Sequence, residues 1–266
     1  KHERESCTVM IRAERFQMIA ELGEKDSDGI ITLEQLAEYL HVSMATVRRD
    51  VDELASRGVL QKTRGGVILQ ARETASLDPT YAMRLSVNMD EKNRIARAAS
   101  AYIYEGDNIM FDSGSTVLEL AKELPVRNHL GIITYDLYVA LELVNREYVD
   151  LLMIGGVFRR QYFGFHGYFA ENAIRQMYSK VAFIGADAVN LQGGIMSHNQ
   201  NDVPLKQSMI ENSQKTILLC DHTKFGSYAF MHVAPLEKFD IVITGRELDE
   251  KYVSALREKG IGVELV

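Results

Sequence analysis

"SMATVRRDV", residues 43–51, decides how this chain is read. Ser43 has a side chain suited to accept the first free amides of a helix, and Val47, Val51 and Leu54 follow at helical spacing. A helix is therefore expected from Met44, ending near Arg57-Gly58, where glycine can take the left-handed cap. Arg48 and Arg49 lie in its first two turns, about 100° apart around the axis, so they can reach two different targets. Before this helix, "HVS" (41–43) is a three-residue turn. "TLEQLAEYL" (32–40) precedes it, with Thr32 as N-cap and Leu33, Leu36, Ala37 and Leu40 on one stripe. Farther upstream "RAERFQMIAEL" (12–22) places Phe16, Ile19, Ala20 and Leu22 on one face before the turn-forming "GEKDSDG" (23–29). After the arginine helix, "VLQKT" (59–63) and "VILQ" (67–70) are β-prone and joined across "RGG", which predicts a hairpin. Helix, helix, turn, helix, hairpin is the order of a winged helix-turn-helix, here over residues 11–70.

The charge pattern limits what such a unit could hold. The whole chain has 30 Lys+Arg against 37 Asp+Glu, a formal charge of −7, so any nucleic-acid contact has to be local. Between positions 48 and 64 it is basic: Arg48, Arg49, Arg57, Lys62 and Arg64 face only Asp50, Asp52 and Glu53. A helix in the major groove needs side chains near its N-terminus for base edges and cations nearby for phosphates. Ser43, Thr46, Arg48 and Arg49 on the helix, with Lys62 and Arg64 on the wing, are the candidates for contact with double-stranded DNA. The plainer alternative pairs Arg48 and Arg49 with Asp52 and Glu53 on a solvated face.

Residues 71–92 have no clear period, contain Pro79 and read as a linker turning helical near its end. From 93 to 266, short Ile/Val/Leu-rich runs alternate with helical ones, the signature of a mostly parallel α/β sheet covered on both faces. No apolar run approaches the length of a membrane span, and the opening "KHERESCTVM" lacks the apolar core of a secretion signal. Cys7 and Cys220 are far apart and lack C-x-x-C spacing. A cytoplasmic location without a membrane partner is expected.

In open α/β sheets ligands gather beyond the carboxyl ends of the strands. Five such ends carry polar or glycine residues. "FDSGST" offers Asp112, Ser113, Gly114, Ser115 and Thr116 at a helix start, a cradle for an anion such as phosphate. "TYD" offers Thr134 and Asp136, "GG" Gly155 and Gly156, "GAD" Asp187, and "DHTKFG" Asp221 and Lys224. Each has a structural alternative: the aspartates can equally cap helices or tether loops. His166, His198, His222 and His232 have no ligand spacing, so no metal site is expected. The phosphate-binding G-x-x-x-x-G-K-[ST] and the dinucleotide G-x-G-x-x-G are both missing, so no cofactor is expected.

These residues resemble the DeoR-type bacterial transcriptional regulators. "RFQMI" (15–19) and "SMATVRRDV" (43–51) are similar to the family's signature, and "GVLQKTRGGV" (58–67) to its wing. "FDSGST", "MIGGVF", "AFIGAD" and "LLCDHTKFG" are similar to the motifs of its effector domain, itself like ribose-5-phosphate isomerase. The resemblance implies a homodimeric or homotetrameric repressor of a sugar or polyol operon, released from operator DNA by a sugar phosphate. It implies a phosphate at "DSGST", with Asp136, Asp187, Asp221 and Lys224, together with Lys206, lining a sugar pocket; Tyr135 and either Phe163 or Phe165 are expected in its walls. Three positions depart from the pattern: Arg64 replaces a common histidine, Tyr135 an asparagine, and Gly245 an aspartate. The rival reading is an isomerase-like enzyme with an appended DNA-binding domain. Sugar isomerisation needs a carboxylate base, and where the isomerases carry acids this chain has Leu205, before Lys206, and Ile184, before "GAD". No catalytic residue is therefore expected.

Overall fold

A computed structural model of the chain describes residues 15–16, 19, 30–56, 60–63, 66–69, 84, 87–126, 129–160 and 162–266. They divide into two compact units, Lys1–Val87 and Asn88–Val266.

The first unit runs β1 (Ile30–Thr32), α1 (Leu33–Tyr39), α2 (Met44–Ser56), β2 (Leu60–Thr63) and β3 (Gly66–Leu69). Thr32 caps α1 through a reciprocal box: its hydroxyl accepts from Gln35 N at 3.1 Å while the Gln35 side chain accepts from Thr32 N at 2.8 Å. Ser43 opens α2, its hydroxyl accepting from Thr46 N at 3.3 Å. Leu36 and Leu40 from α1, Val47, Val51 and Leu54 from α2, and Val67 from β3 form the core with Phe16 and Ile19. Arg15, Phe16 and Ile19 are helical; the rest of the helix expected over 12–22 lies outside the described residues, as do Arg57, Gly58 and Arg64. The hairpin matches the expected one, but β1 joins it to make an antiparallel sheet of order β1-β3-β2. Three residues are too few for a strand pattern to register in sequence. Gly66 is required there, because a Cβ would run into the Ile31 carbonyl.

The second unit opens with α3 (Met89–Ser100) and β4 (Asn108–Phe111), then α4 (Ser115–Lys122), β5 (Leu130–Thr134), α5 (Leu137–Leu143) and β6 (Val149–Met153). A hairpin of β7 (Val157–Arg159) and β8 (Gly164–His166) leads to α6 (Tyr168–Arg175), β9 (Ser179–Gly185), β10 (Ala188–Asn190) and β11 (Gly194–Ser197). The chain ends through α7 (Val203–Glu211), β12 (Ser213–Leu219), β13 (Met231–Ala234), β14 (Ile241–Thr244), α8 (Glu250–Glu258) and β15 (Gly262–Leu265). Seven strands form one sheet of order β15-β14-β12-β9-β4-β5-β6, every pair parallel. Its inner strands are apolar on both faces, as in β9, whereas the edge strand β6 is buried on neither side throughout. The small antiparallel groups β7-β8 and β10-β11-β13 were not legible in the sequence; β7, β8 and β10 have only three residues each.

The boundary falls earlier than expected. The unit begins at Asn88, and Glu91 and Lys92, assigned by composition to the linker, are buried in it. "MDEK" has no apolar residue to announce its burial except Met89; the charges are taken in as partners of groups at the sheet edge, described below.

Candidate functional site

After β4 the chain turns to β5 on one side; after β6 it crosses to β9 on the other. The switch point thus lies between β4 and β9, where strand ends splay and a ligand crevice forms. Asp112 follows β4 directly and is fully buried. Its Oδ1 accepts from the Tyr135 hydroxyl at 2.5 Å; its Oδ2 accepts from Gly185 N at 2.8 Å and from the Lys206 ammonium. Lys206 also donates to the Gly185 carbonyl at 3.0 Å. Burial works to lower the Lys206 pKa, but Asp112, with Asp202 and Asp187, outweighs it and holds the ammonium above its usual value. Burial, and next to it the Asp112 charge, push the Tyr135 hydroxyl well above its usual range, so it stays a donor.

Asp136 is the N-cap of α5, accepting from Tyr138 N at 2.8 Å and Val139 N at 3.1 Å, and it holds Gly114 N at 3.2 Å. Burial raises its pKa to about 7, against the three amides, which favour the carboxylate. Thr134 is buried, its hydroxyl accepting from Asp136 N at 3.1 Å. Asp187 accepts from the Ser197 hydroxyl at 2.9 Å and His198 N at 3.0 Å. Gly156 packs on the His166 carbonyl, whereas a Cβ at Gly155 would meet only open space. The expected sugar-binding aspartates therefore serve largely as internal braces, the structural alternative raised by their position at helix starts.

The phosphate cradle remains open. Gly114, with φ 116°, takes a conformation that L side chains rarely adopt and starts α4. The first-turn amides of α4 point out of the helix without intrahelical acceptors. The Ser115 and Thr116 hydroxyls make no hydrogen bond to another described residue, although both residues are largely buried.

Asp221 and Lys224 belong to a second cluster. Asp221 accepts from Asn88 Nδ2 at 3.0 Å, from Thr223 N at 3.1 Å and from the Thr223 hydroxyl. Burial works to raise its pKa; Lys224 first, then Thr223, Lys92 and Asn88, hold it below the usual range. Beside it Glu91 accepts from His222 N at 2.7 Å and Gly245 N at 3.0 Å, and pairs with His222 Nδ1 at 2.7 Å. A Cβ at position 245 would strike Glu91 and Glu247, so glycine there makes room for these carboxylates. Glu91, His222 and Glu247 bring three potential metal-ligand atoms within 4.8 Å of one another, a cluster invisible to spacing rules. Glu247 is already paired with Arg94 at 2.5 Å. Among the described residues no hydrogen bond or ion pair joins this cluster to Asp112 or Lys206.

Sequence reasoning also missed a cleft of about 340 Å³ lined by Arg159, Arg160, Tyr162, Gln200 and Asn201. The adjacent arginines were the available signal.

In the first unit Arg48 and Arg49 are exposed on α2 and form no ion pair with a described residue. The solvated-face alternative fails for Asp52, which pairs with Lys62. Asp50 turns inward to Arg15, its Oδ2 2.6 Å from Nε, and this hydrogen bond raises the guanidinium pKa. The Ser43 and Thr46 hydroxyls lie 3.0 Å apart. Lys62 reaches the outer surface of β2.

A helix-turn-helix unit with an exposed arginine pair, together with a parallel α/β unit open at its switch point, defines the class: a DNA-binding transcriptional regulator with a sensor domain. Residues 15–73 match the DeoR-like helix-turn-helix domain and residues 87–246 the DeoR C terminal sensor domain. The chain belongs to the DeoR family of transcriptional regulators; it is a regulator, not an enzyme. It is 31% identical over 254 residues to the HTH-type transcriptional regulator GlpR of Haloferax volcanii, covering 96% of this chain and 98% of that one. It is 30% identical over 254 residues to a putative aga operon transcriptional repressor of Escherichia coli O157:H7 (95% and 93%), and 33% over 228 to the lactose phosphotransferase system repressor of Lactococcus lactis subsp. lactis (85% and 89%). Among solved structures, ribose 5-phosphate isomerase A of Methanocaldococcus jannaschii aligns over 52% of this chain and 55% of its own, with a TM-score of 0.39 and 17% identity. Among the described residues no helix is long and apolar enough to cross a membrane.

Proposed function

We propose that this chain is a cytoplasmic repressor of a sugar or polyol catabolic operon, released from its operator by a phosphorylated sugar bound at the start of α4. The observation that carries this reading is the α4 entrance: a positive-φ glycine, outward first-turn amides and two hydroxyls without a partner among the described residues, at the switch point of a parallel sheet. Two of the relatives named above are repressors by name, one of them of a lactose phosphotransferase system, which supports the same reading. In DNA binding, α2 enters the major groove with Thr46, Arg48 and Arg49 toward bases and phosphates, Ser43 at its start, and Lys62 and Arg64 on the wing toward the backbone. One such unit buries little DNA surface, so tight binding takes a homodimer or homotetramer on repeated half-sites. The effector acts by favouring the arrangement of subunits that cannot span both half-sites, and only differential affinity for the two arrangements can do this.

The test uses the full-length protein and an operator selected by it from a random DNA pool. Fluorescence anisotropy follows release as sugar phosphates and their unphosphorylated parents are added. Thr116→Val is expected to keep operator affinity and lose the response to the phosphate ester. Release by an unphosphorylated sugar alone, undisturbed by Thr116→Val, overturns the reading.

A further inference from the structure

A phosphate at α4 leaves the rest of the effector to be recognised, and the polar groups nearest the cradle are committed elsewhere. Both oxygens of Asp112 are occupied by Tyr135, Gly185 and Lys206, and Lys206 is divided between Asp112 and the Gly185 carbonyl. Two guanidinium groups stand instead in the cleft that Arg159 and Arg160 line with Tyr162, Gln200 and Asn201. Arg159 and Arg160 are both exposed, and among the described residues no acid pairs with either. Two guanidinium groups at adjacent positions repel one another, and an oxyanion between them removes that repulsion while matching their planar donor forks.

The cleft is held in shape before any ligand arrives. His166 at the end of β8 bonds through Nε2 to Asp202 Oδ1 at 2.6 Å, fixing the hairpin wall to the residue that precedes α7. Both residues are buried, His166 at 1% exposure. Asn199 donates to the same Asp202 oxygen at 2.9 Å, and its own carbonyl accepts from Asn201 N and Nδ2, each at 3.0 Å. The Asn201 amide oxygen and the Gln200 side chain are left to read hydroxyls. A run of contacts leads from the cradle to the cleft: the Tyr135 hydroxyl lies 3.1 Å from Ser113 Oγ, the Tyr135 ring 5.5 Å from the His166 ring, and that ring 6.4 Å from Tyr162.

We propose that the β7-β8 cleft is a second oxyanion subsite, so that the effector is a phosphorylated sugar or polyol bearing another acidic group. The proposal rests on the α4 reading for the first phosphate, and the two can fail separately. Full-length protein is titrated with inorganic phosphate and followed by phosphorus NMR, comparing wild type, Arg159→Gln/Arg160→Gln, Arg159→Lys/Arg160→Lys and Thr116→Val. The expected result is two saturable sites, one weakened about tenfold or more by the glutamine pair and partly kept by the lysine pair, the other lost in Thr116→Val. These arginines are exposed, so the variants fold. A glutamine pair that titrates like wild type overturns the cleft and leaves the cradle. A Thr116→Val protein that titrates like wild type, while the glutamine pair loses all binding, overturns the cradle and keeps the cleft. No saturable phosphate in wild type overturns both.

Discussion

Two adjacent arginine pairs, Arg48-Arg49 and Arg159-Arg160, are the same dipeptide in different backbones, and buried Lys206 is their opposite. On α2 the pair fans about 100° around a helix, suited to a groove and its bordering phosphates. At the end of β7, with Arg160 already in the turn, the second pair lines a concave wall. All four are exposed cations without a described acid partner, whereas Lys206 is buried with Asp112 against it. What separates them is whether the surrounding fold supplies an acid. Cations left unpaired are free for a ligand; the paired one holds the fold.

The sharpest way to break this contrast is Asp112→Ala. It strands the Lys206 ammonium in the interior, and about 3–5 kcal/mol of unfolding free energy should be lost in a denaturant titration. Glutamine at Arg159 or Arg160 should change the same titration by no more than about 0.5 kcal/mol. Equal effects would mean that Lys206 is no more structural than the surface pairs.

Next in size is the difference between the two arginine pairs. Arg48→Ala should cost roughly 1–3 kcal/mol of operator affinity if it reads a base, or lower the salt slope by about one if it holds a phosphate. Arg159→Ala should leave both quantities unchanged. Anisotropy over a salt series separates the outcomes, and loss of operator binding in Arg159→Ala would dissolve the distinction.

The last test reads a pH slope and concerns Asp136, whose carboxyl burial lifts from an ordinary 3.8 to about 7. The folded state then binds the proton more tightly than the unfolded one, so this group's stabilisation is complete below about pH 4 and is lost as pH rises through about 7. Unfolding titrations across that window should show a downward slope that Asp136→Asn flattens. A slope that survives the substitution assigns it to another group.

Much of this architecture was legible in the residues. Thr32 and Ser43 act as caps, Val47, Val51 and Leu54 face inward, and the strand-helix alternation after position 93 corresponds to the parallel sheet. These features depend on contacts three or four residues apart, which periodicity reports. The short strands β1, β7, β8 and β10 fall below the length at which a period of two can be read, and the burial of Glu91 and Lys92 has no apolar signature. The site was legible in outline only. "FDSGST" was found where the sheet places its switch point, but Asp112, Asp136, Asp187 and Asp221 could be read as ligands or as braces.

Element order, caps and the polar residues at strand ends follow from the sequence alone, because short-range chemistry sets them. Which polar groups are left open was decided by the tertiary structure. The partners of Asp112 come from 23, 73 and 94 residues away, and only folding brings them to one carboxylate while leaving the side chains of Ser115, Thr116, Arg159 and Arg160 without a hydrogen-bond or ion-pair partner among the described residues. Desolvation then makes those long-range pairs obligatory, since a buried charge without a partner costs more than a small domain can spare.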